Sequence, residues 1–425
     1  MGTGTRKRTT HLNRMTSIGI DYINQQDFVI DTTKHINIEG MSGMGKSTLL
    51  VNLFIDHIRH GNGGLFIDPH GDTADQIAKL IPKSRMRDFI WIDPDATLVP
   101  PFNPLHFNNA EELELAKESL FTTFKSLAGA AWGDESARVI MNAIDAVCEY
   151  FDHPTPVHIF RFMADDKFRE KVLAASKSPL LRMFKEQYDE KLRDSEQMSK
   201  FSPPINKVGK LLRPQIMPII GQTKSLDFLD IMNSKKIVVC RFSKGRLGEE
   251  VAQILGSLVV SMVSISALRR EKQKNRPPFM LVADEVHNFV HGGRFGTLLA
   301  ESRKYGITLV LASQGMYQLP FAKDVFSNCP TQIVFNVSGE DAKSIEENWN
   351  EQYVSATAIT GLSRYVFFCR TFTDDSPNAK RIIGWSGVAK RGDEANPTKL
   401  IKQSLMRWGT KRKDTIAKIN HFLAS

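Results

Sequence analysis

Short apolar runs recur along the chain, separated by stretches of helical periodicity and by polar turns. Runs of this kind are typical of buried strands, and the amphipathic stretches between them are typical of helices that cover a sheet. This alternation predicts an α/β fold with a mostly parallel central sheet. The predicted strands are residues 36–38, 65–68, 89–92, 236–242, 279–283, 307–311 and 332–335.

The pattern changes between residues 108 and 234, where long helical periodicity replaces the strand pattern. We interpret this stretch as an inserted all-helical domain, because a parallel sheet tolerates a long insertion between two of its strands. The predicted organisation is a basic N-terminal segment (1–34), the first part of the α/β domain (35–107), the helical insertion (108–234), the second part of the α/β domain (235–386) and a basic helical C-terminal segment (387–425).

Residues 251–268 carry no charge and approach the length of a membrane span. Several serines, a glutamine and a glycine make the segment only moderately apolar, so we expect a buried core helix and no intrinsic membrane span. The N-terminal residues contain no apolar stretch after their arginines, which argues against a secretory signal. The four cysteines are widely spaced and form no C-x-x-C pair, which favours a reducing, cytoplasmic location.

Residues 40–47, Gly-Met-Ser-Gly-Met-Gly-Lys-Ser, match the phosphate-binding loop G-x-x-x-x-G-K-[ST] between a predicted strand and a predicted helix. Backbone N–H groups of such a loop surround phosphates, Lys46 reaches the β and γ oxygens, and the Ser47 hydroxyl can bind Mg²⁺. An ordinary glycine turn is the alternative. The motif predicts that ATP binds through Gly40, Ser42, Gly43, Met44, Gly45, Lys46, Ser47 and Thr48.

A second motif ends the predicted strand at 279–283, where four apolar residues precede Asp284 and Glu285. In P-loop ATPases, the first acid of this Walker B pattern holds Mg²⁺ through its water shell and the second polarises the attacking water. We therefore predict that Asp284 is a metal ligand, with Ser47, and that Glu285 is catalytic. On its own, such a pair is also common where a strand reaches the surface.

Two later residues complete the predicted site. Arg303 lies in the sequence Arg-Lys-Tyr-Gly before the strand at 307–311, and Gln314 follows that strand. Gln314 is placed beside the end of the Walker B strand, where it could sense the γ-phosphate. Arg303 could instead be a surface arginine at a helix C-terminus, where a cation is favoured. For His35, Asp68 and His70 we favour structural roles, with Asp68 capping the helix that follows it and His70 satisfying a turn.

The order of these motifs resembles the FtsK/HerA superfamily of DNA-pumping ATPases. The sequence has, in order, the P-loop, Asp-Pro-His-Gly (68–71), Asn-Pro-Leu (103–105), a helical insertion, Asp284-Glu285, Arg-Lys-Tyr-Gly (303–306) and Ala-Ser-Gln (312–314). Within the superfamily, the likeness is to the soluble motor domain of type IV coupling proteins of conjugation, over about residues 35–370.

The resemblance implies a RecA-like P-loop motor that works as a hexameric ring around DNA. It also implies that Arg303 acts as a finger on the neighbouring subunit's nucleotide, and that Gln314 couples nucleotide state to DNA-contacting loops. Coupling proteins usually begin with membrane helices and HerA-type helicases with a small β-barrel, whereas the 39 residues before Gly40 hold neither. This departure leaves the biological process open.

The charge distribution bears on partners. The net charge is +9, and residues 387–425 carry nine lysines and arginines against three acidic residues. A polyanionic partner and a merely solvated tail both fit this segment. We expect an ATP-driven translocase that contacts DNA independently of sequence, with a membrane protein or a nuclease as a candidate partner. The alternatives are a secretion-type ATPase with protein cargo and a nucleotide-gated DNA-binding scaffold.

Overall fold

The computed structural model of the protein describes residues 15–129, 132–190, 194–290, 295–319, 322–372, 377–384 and 393–425. Residues 1–14 of the predicted N-terminal segment and residues 387–392 of the predicted C-terminal segment lie outside these ranges. The strands are β1 Met15–Asp21, β2 Asp27–Asp31, β3 Ile36–Glu39, β4 Gly63–Asp68, β5 Phe89–Ile92, β6 Leu98–Val99, β7 Ile237–Arg241, β8 Phe279–Ala283, β9 Ile307–Ser313, β10 Thr331–Val334, β11 Val366–Phe372, β12 Pro377–Gly384 and β13 Thr410–Lys411.

Helices connect and cover these strands. They are α1 Lys46–Arg59, α2 Asp72–Ala78, α3 Ala110–Ala128, α4 Asp134–Tyr150, α5 Pro156–Ala164, α6 Asp166–Ala175, α7 Pro179–Lys185, α8 Asp194–Gly209, α9 Met217–Ile220, α10 Phe228–Asn233, α11 Lys244–Leu247, α12 Glu249–Leu268, α13 Phe295–Glu301, α14 Ala322–Asn328, α15 Gly339–Trp349, α16 Ala356–Thr360, α17 Pro397–Trp408 and α18 Arg412–Ala424. Helices α3 to α10 lie within the stretch predicted as a helical insertion. The domain boundaries themselves stay a prediction.

Within the described residues, eleven strands form one sheet in the order β2-β1-β12-β11-β10-β3-β9-β8-β4-β7-β5. Every neighbouring pair from β10 to β5 is parallel, and the pairs from β2 to β10 are antiparallel. The predicted mostly parallel sheet is confirmed. Its central strands are fully buried, as expected where helices cover both faces.

The antiparallel edge was not predicted. Residues 15–31, which we had placed in a basic N-terminal segment, form the β1–β2 hairpin, and β1 pairs with β12. The inward-facing residues of this hairpin include Ile18 and Ile30, which are buried. The buried positions of β1 include Thr16, Gly19 and Asp21, and β2 is largely exposed, so the apolar pattern of the hairpin is weak beside that of the central strands.

One described helix, α12, is apolar and long enough to cross a membrane by length and composition. In the fold, 89% of its most apolar window is buried, because α12 packs between the sheet and the helical region. We therefore describe α12 as a core helix, as the sequence predicted.

Gly256 in α12 allows the chain that follows the Walker B strand to approach the helix. A Cβ atom at this position would lie 2.1 Å from Cδ1 of Phe289, far inside van der Waals contact. Gly245 in α11 is a contrasting case, since a Cβ there would meet nothing within 4 Å.

Gly256→Ala should destabilise the protein by roughly 1–3 kcal/mol, the usual cost of overpacking a core, although alanine is the better helix former. Thermal unfolding should show a lower transition temperature for Gly256→Ala and an unchanged or slightly raised one for Gly245→Ala. Phe289→Leu should restore part of the loss. Equal stability of the two alanine variants would contradict the close packing of Phe289 on α12.

Candidate functional site

The parallel register of the central strands brings the predicted site residues to one edge of the sheet. Glu39 at the end of β3 pairs with Ser313 at the end of β9, and β8 lies on the other side of β9. The residues that follow these strands are Gly40, Gln314 and Asp284. Because the carboxyl ends of parallel strands share one edge, residues distant in sequence meet there.

The P-loop leaves β3 and enters α1 through two glycines in left-handed conformations, Gly43 at φ +81° and Gly45 at φ +117°. Lys46 is buried, and its Nζ donates hydrogen bonds to the carbonyl oxygens of Gly40 and, at 3.2 Å, of Met41. Burial lowers the pKa of Lys46, whereas the nearby Glu285 and Asp284 raise it. The ammonium group is thus held at the mouth of the loop by backbone oxygens alone.

The two acids after β8 have different environments. Asp284 Oδ2 accepts a 3.3 Å hydrogen bond from the Ser47 hydroxyl, and its Oδ1 accepts one from the Glu285 N–H. Burial, followed by the negative charges of Asp68 and Glu285, raises the pKa of Asp284 to about 6. The two predicted metal-binding residues, Ser47 and Asp284, are therefore hydrogen-bonded to each other, and the negative charges of Asp68 and Glu285 lie close to Asp284.

Glu285 is buried in a left-handed backbone conformation, with φ 49° and ψ 54°. Such a conformation is uncommon for a residue other than glycine and marks a constrained turn. Its carbonyl is fixed by Asn288, which in turn accepts a hydrogen bond from Lys244. Its Oε2 has no hydrogen-bond partner within the described structure, although His287 Nδ1 lies 3.5 Å away. An orphaned buried carboxylate oxygen can accept a hydrogen bond from a water molecule.

Gln314 contacts Glu285 directly, since its Nε2 donates a 3.3 Å hydrogen bond to Glu285 Oε1. Its own backbone N–H donates to Gln318 Oε1 at 3.1 Å. Gln314 therefore connects the second acid to the turn that follows β9.

The P-loop and the two acids line a cavity of about 200 Å³, and Gln314 lies behind Glu285 without lining it. The lining residues are Ser42, Gly43, Gly45, Lys46, Ser47, Thr48, His70, Asp284, Glu285 and Arg364. Two predicted nucleotide-binding residues do not line it: Gly40 packs against Phe335, and Met44 packs against the core. Sequence reasoning did not place His70 in the site, and it missed Arg364 altogether.

Arg303 lies away from this cavity. It precedes β9, whereas Gln314 follows it, and the seven residues of β9 separate the two by about 20 Å at the usual rise per residue. Arg303 is exposed, and its side chain has no hydrogen-bond partner in the described ranges. It lies near His35, whose pKa is lowered to about 4 by burial and, to a smaller extent, by Arg303.

The structural roles favoured for two polar residues agree with the geometry. Asp68 accepts hydrogen bonds from the backbone N–H groups of His70 and Ala74, which fixes the start of α2. His35 accepts a hydrogen bond from the Leu309 N–H at 3.0 Å, and so joins the beginnings of β3 and β9.

Comparisons with known proteins agree with this fold. A profile described as the TraM recognition site of TraD and TraG matches residues 278–356. The bacterial conjugative coupling protein TrwBdeltaN70, in an unbound form, superposes with a TM-score of 0.66 at 13% identity, covering 92% of this chain and 93% of that chain. None of the curated proteins matches the chain by sequence.

Two further solved structures are similar. The plasmid coupling protein TrwB in complex with ADP and Mg²⁺ has a TM-score of 0.66 at 14% identity, covering 93% of this chain and 95% of that chain. VirB4 of Thermoanaerobacter pseudethanolicus has a TM-score of 0.65 at 14% identity, covering 87% and 96%. The fold implied by the sequence resemblance is thus confirmed: the chain has a RecA-like fold with a helical region, similar to that of the TrwB coupling protein and of VirB4.

Proposed function

We propose that the chain is an ATPase that translocates DNA as a homo-oligomeric, hexameric ring. The observation that supports this most is the placement of polar residues along β9. Gln314, after the strand, contacts Glu285 in the chain's own site. Arg303, before the strand, is exposed about 20 Å away at the usual strand rise. A chain with this arrangement can offer Arg303 to a second copy but cannot bring Arg303 to its own cavity.

ATP and Mg²⁺ fit the cavity. The N-terminus of α1 presents free N–H groups to a phosphate chain, and Lys46 is held beside them by the Gly40 and Met41 carbonyls. Mg²⁺, when bound, offsets negative charge on the phosphates and on the transition state. Ser47 and Asp284 would hold it. A divalent cation there would offset the negative charges of Asp68 and Glu285, which together with burial raise the pKa of Asp284.

The remaining roles follow from position. Glu285 orients the attacking water through its unpartnered Oε2. Gln314 moves with Glu285 and passes that movement to Gln318 and the turn after β9. Arg303 from the neighbouring subunit neutralises charge on the transferred phosphoryl group. Hydrolysis therefore requires oligomerisation.

Basic residues of the C-terminal segment support contact with DNA. Lys399 and Arg407 of α17 share a cleft of about 570 Å³ with Lys83 and Arg87 of the motor. Such a surface suits phosphates without reading bases, as a translocating motor requires. The profile that matches residues 278–356 is described as a recognition site for another protein, which supports a protein partner in addition to DNA.

Hydrolysis stimulated by DNA tests the function. Duplex DNA of any sequence should raise steady-state ATP hydrolysis by the wild type, less so at higher salt. Glu285→Gln should lower hydrolysis by about 10²–10⁴-fold, because the general base is lost, while ATP binding persists. Glu170→Gln on the exposed face of α6 is the matched control. Hydrolysis indifferent to DNA would support a protein-cargo ATPase, and the absence of turnover in the wild type would support a scaffold.

Asp284 gives a prediction about pH. Its pKa is about 6 in the folded chain and about 3.9 when unfolded. The ionised carboxylate of Asp284 therefore lowers the free energy of unfolding above pH 6. This loss of stability disappears as the pH falls towards 4, because the carboxyl group is then protonated in the folded chain. Asp284→Asn should stabilise the nucleotide-free protein at pH 7.5 by at most about 3 kcal/mol, with a smaller gain at pH 5.

Thermal unfolding at the two pH values measures this gain. Mg²⁺ with ADP should raise the unfolding temperature of the wild type more than that of Asp284→Asn, since the variant loses a metal ligand. A variant that is less stable than the wild type at pH 7.5 without ligand would contradict the crowded environment assigned to Asp284.

Mixing experiments test Arg303. Arg303→Ala should bind ATP normally but hydrolyse it at least about 10³-fold more slowly, the contribution expected of an arginine finger. Lys46→Ala should bind ATP weakly. In a mixture of the two, some interfaces pair an intact Lys46 with an intact Arg303, so part of the DNA-stimulated activity should return. If subunits exchange and no activity returns, either Arg303 acts within its own subunit or the ring needs every site intact, and a structure with bound nucleotide decides between the two.

A further inference from the structure

Arg364 is an exposed arginine on the rim of the P-loop cavity. Its guanidinium lies over the ring of Tyr365, 4.6 Å from the centroid. Apart from this stacking, it has no hydrogen-bond or ion-pair partner among the residues that the structure describes. An arginine without an acidic partner, beside a phosphate-binding loop, is available to bind an anion.

The turn that carries Arg364 is fixed to the P-loop itself. The N–H of Tyr365 donates a 2.9 Å hydrogen bond to the Met44 carbonyl. The Tyr365 ring packs on Gly45 so closely that a Cβ there would lie 2.6 Å from Cδ1 of the ring. Tyr365 adopts φ +64°, a left-handed conformation that is rare for an aromatic residue. The position of Arg364 relative to the loop is therefore set by backbone contacts.

Asn336 provides a second attachment between the P-loop and the chain that leads to Arg364. Asn336, which follows β10, accepts a 2.7 Å hydrogen bond at its carbonyl from the Met41 N–H. Its Nδ2 donates to the carbonyls of Thr360 at 2.6 Å and Leu362 at 3.3 Å. Met41 is thus connected through Asn336 to residues just before Arg364, and Met44 is bonded to Tyr365 just after it, so contacts on both sides of Arg364 fix its position beside the loop.

We propose that Arg364 binds the phosphate chain of the nucleotide held by its own subunit. This inference rests on the proposed function, because it takes the nucleotide as the ligand of the cavity. Lys46 is the other strongly basic residue that lines the cavity, and Asp284 and Glu285 oppose it. Arg364 adds a second permanent positive charge, and its planar guanidinium can contact two phosphate oxygens at once.

The geometry favours the phosphates that ADP and ATP share. Tyr365 is attached at Met44 and Gly45, the end of the loop that enters α1. In P-loops, the backbone there surrounds the α- and β-phosphates, and the lysine reaches the β- and γ-phosphates. Arg364 therefore contributes to nucleotide binding within one subunit, a role separate from that of Arg303, which acts on a neighbour.

Nucleotide affinity of the full-length chain tests this role. ADP and a non-hydrolysable ATP analogue compete with a fluorescent ADP for the wild type, Arg364→Gln, Arg364→Lys and Arg182→Gln. Arg182, on α7, is an exposed arginine whose removal changes the net charge equally. Arg364→Gln should weaken both nucleotides by roughly tenfold, the size of one charge-assisted hydrogen bond. Arg364→Lys should recover part of the loss, and Arg182→Gln should bind normally.

The outcomes separate this inference from the proposed function. Wild-type chain that binds neither nucleotide would overturn the proposed function itself. Wild-type binding that Arg364→Gln leaves unchanged would overturn the role of Arg364 alone. If Arg364→Gln lost affinity only for the ATP analogue, contact with the phosphates that ADP and ATP share would be contradicted. If Arg182→Gln lost as much affinity as Arg364→Gln, the loss would be explained by the change in net charge, and the role of Arg364 would be overturned. Because Arg364 is exposed, the ligand-free unfolding temperature of Arg364→Gln should match that of the wild type.

Discussion

The parallel pairing of β3, β9 and β8 is the constraint on which the rest of the site depends. Pairing of Glu39 with Ser313 fixes how far the P-loop and Gln314 extend beyond the sheet. Pairing of Ala283 with Leu311 likewise fixes how far Asp284 and Glu285 extend beyond the sheet. A slip of one residue in either pair would turn the buried side chains of that strand to the opposite face. Buried apolar side chains on both faces therefore hold the catalytic geometry.

The same register separates two sets of polar residues at opposite edges of the sheet. Residues after the strands form a chain's own site, whereas Arg303 before β9 lies beside His35 at the opposite edge. The buried strand β9 is the direct covalent connection between Gln314 and the turn that carries Arg303. In the proposed ring, this strand would transmit the state of one nucleotide to the next interface.

The sequence predicted the central sheet because its strands are short apolar runs with Gly or Asp at their ends, as at Gly40 and Asp284. It placed Gln314 beside Glu285 because both follow strands of one parallel sheet. It could not place Arg364, since that residue reaches the P-loop through the pairing order β11-β10-β3, which no local pattern encodes. It also missed the β1–β2 hairpin, because the buried positions of β1 include the non-apolar residues Thr16, Gly19 and Asp21 and β2 is largely exposed.

The attachment of Tyr365 to Met44 has a consequence for synthesis of the chain. The P-loop leaves the ribosome early, but β3 lies between β9 and β10, and the turn that fixes the loop comes later still. Contacts so distant in sequence cannot form until the intervening chain has emerged. The contacts that fix the P-loop therefore require the chain up to Tyr365 to have been translated.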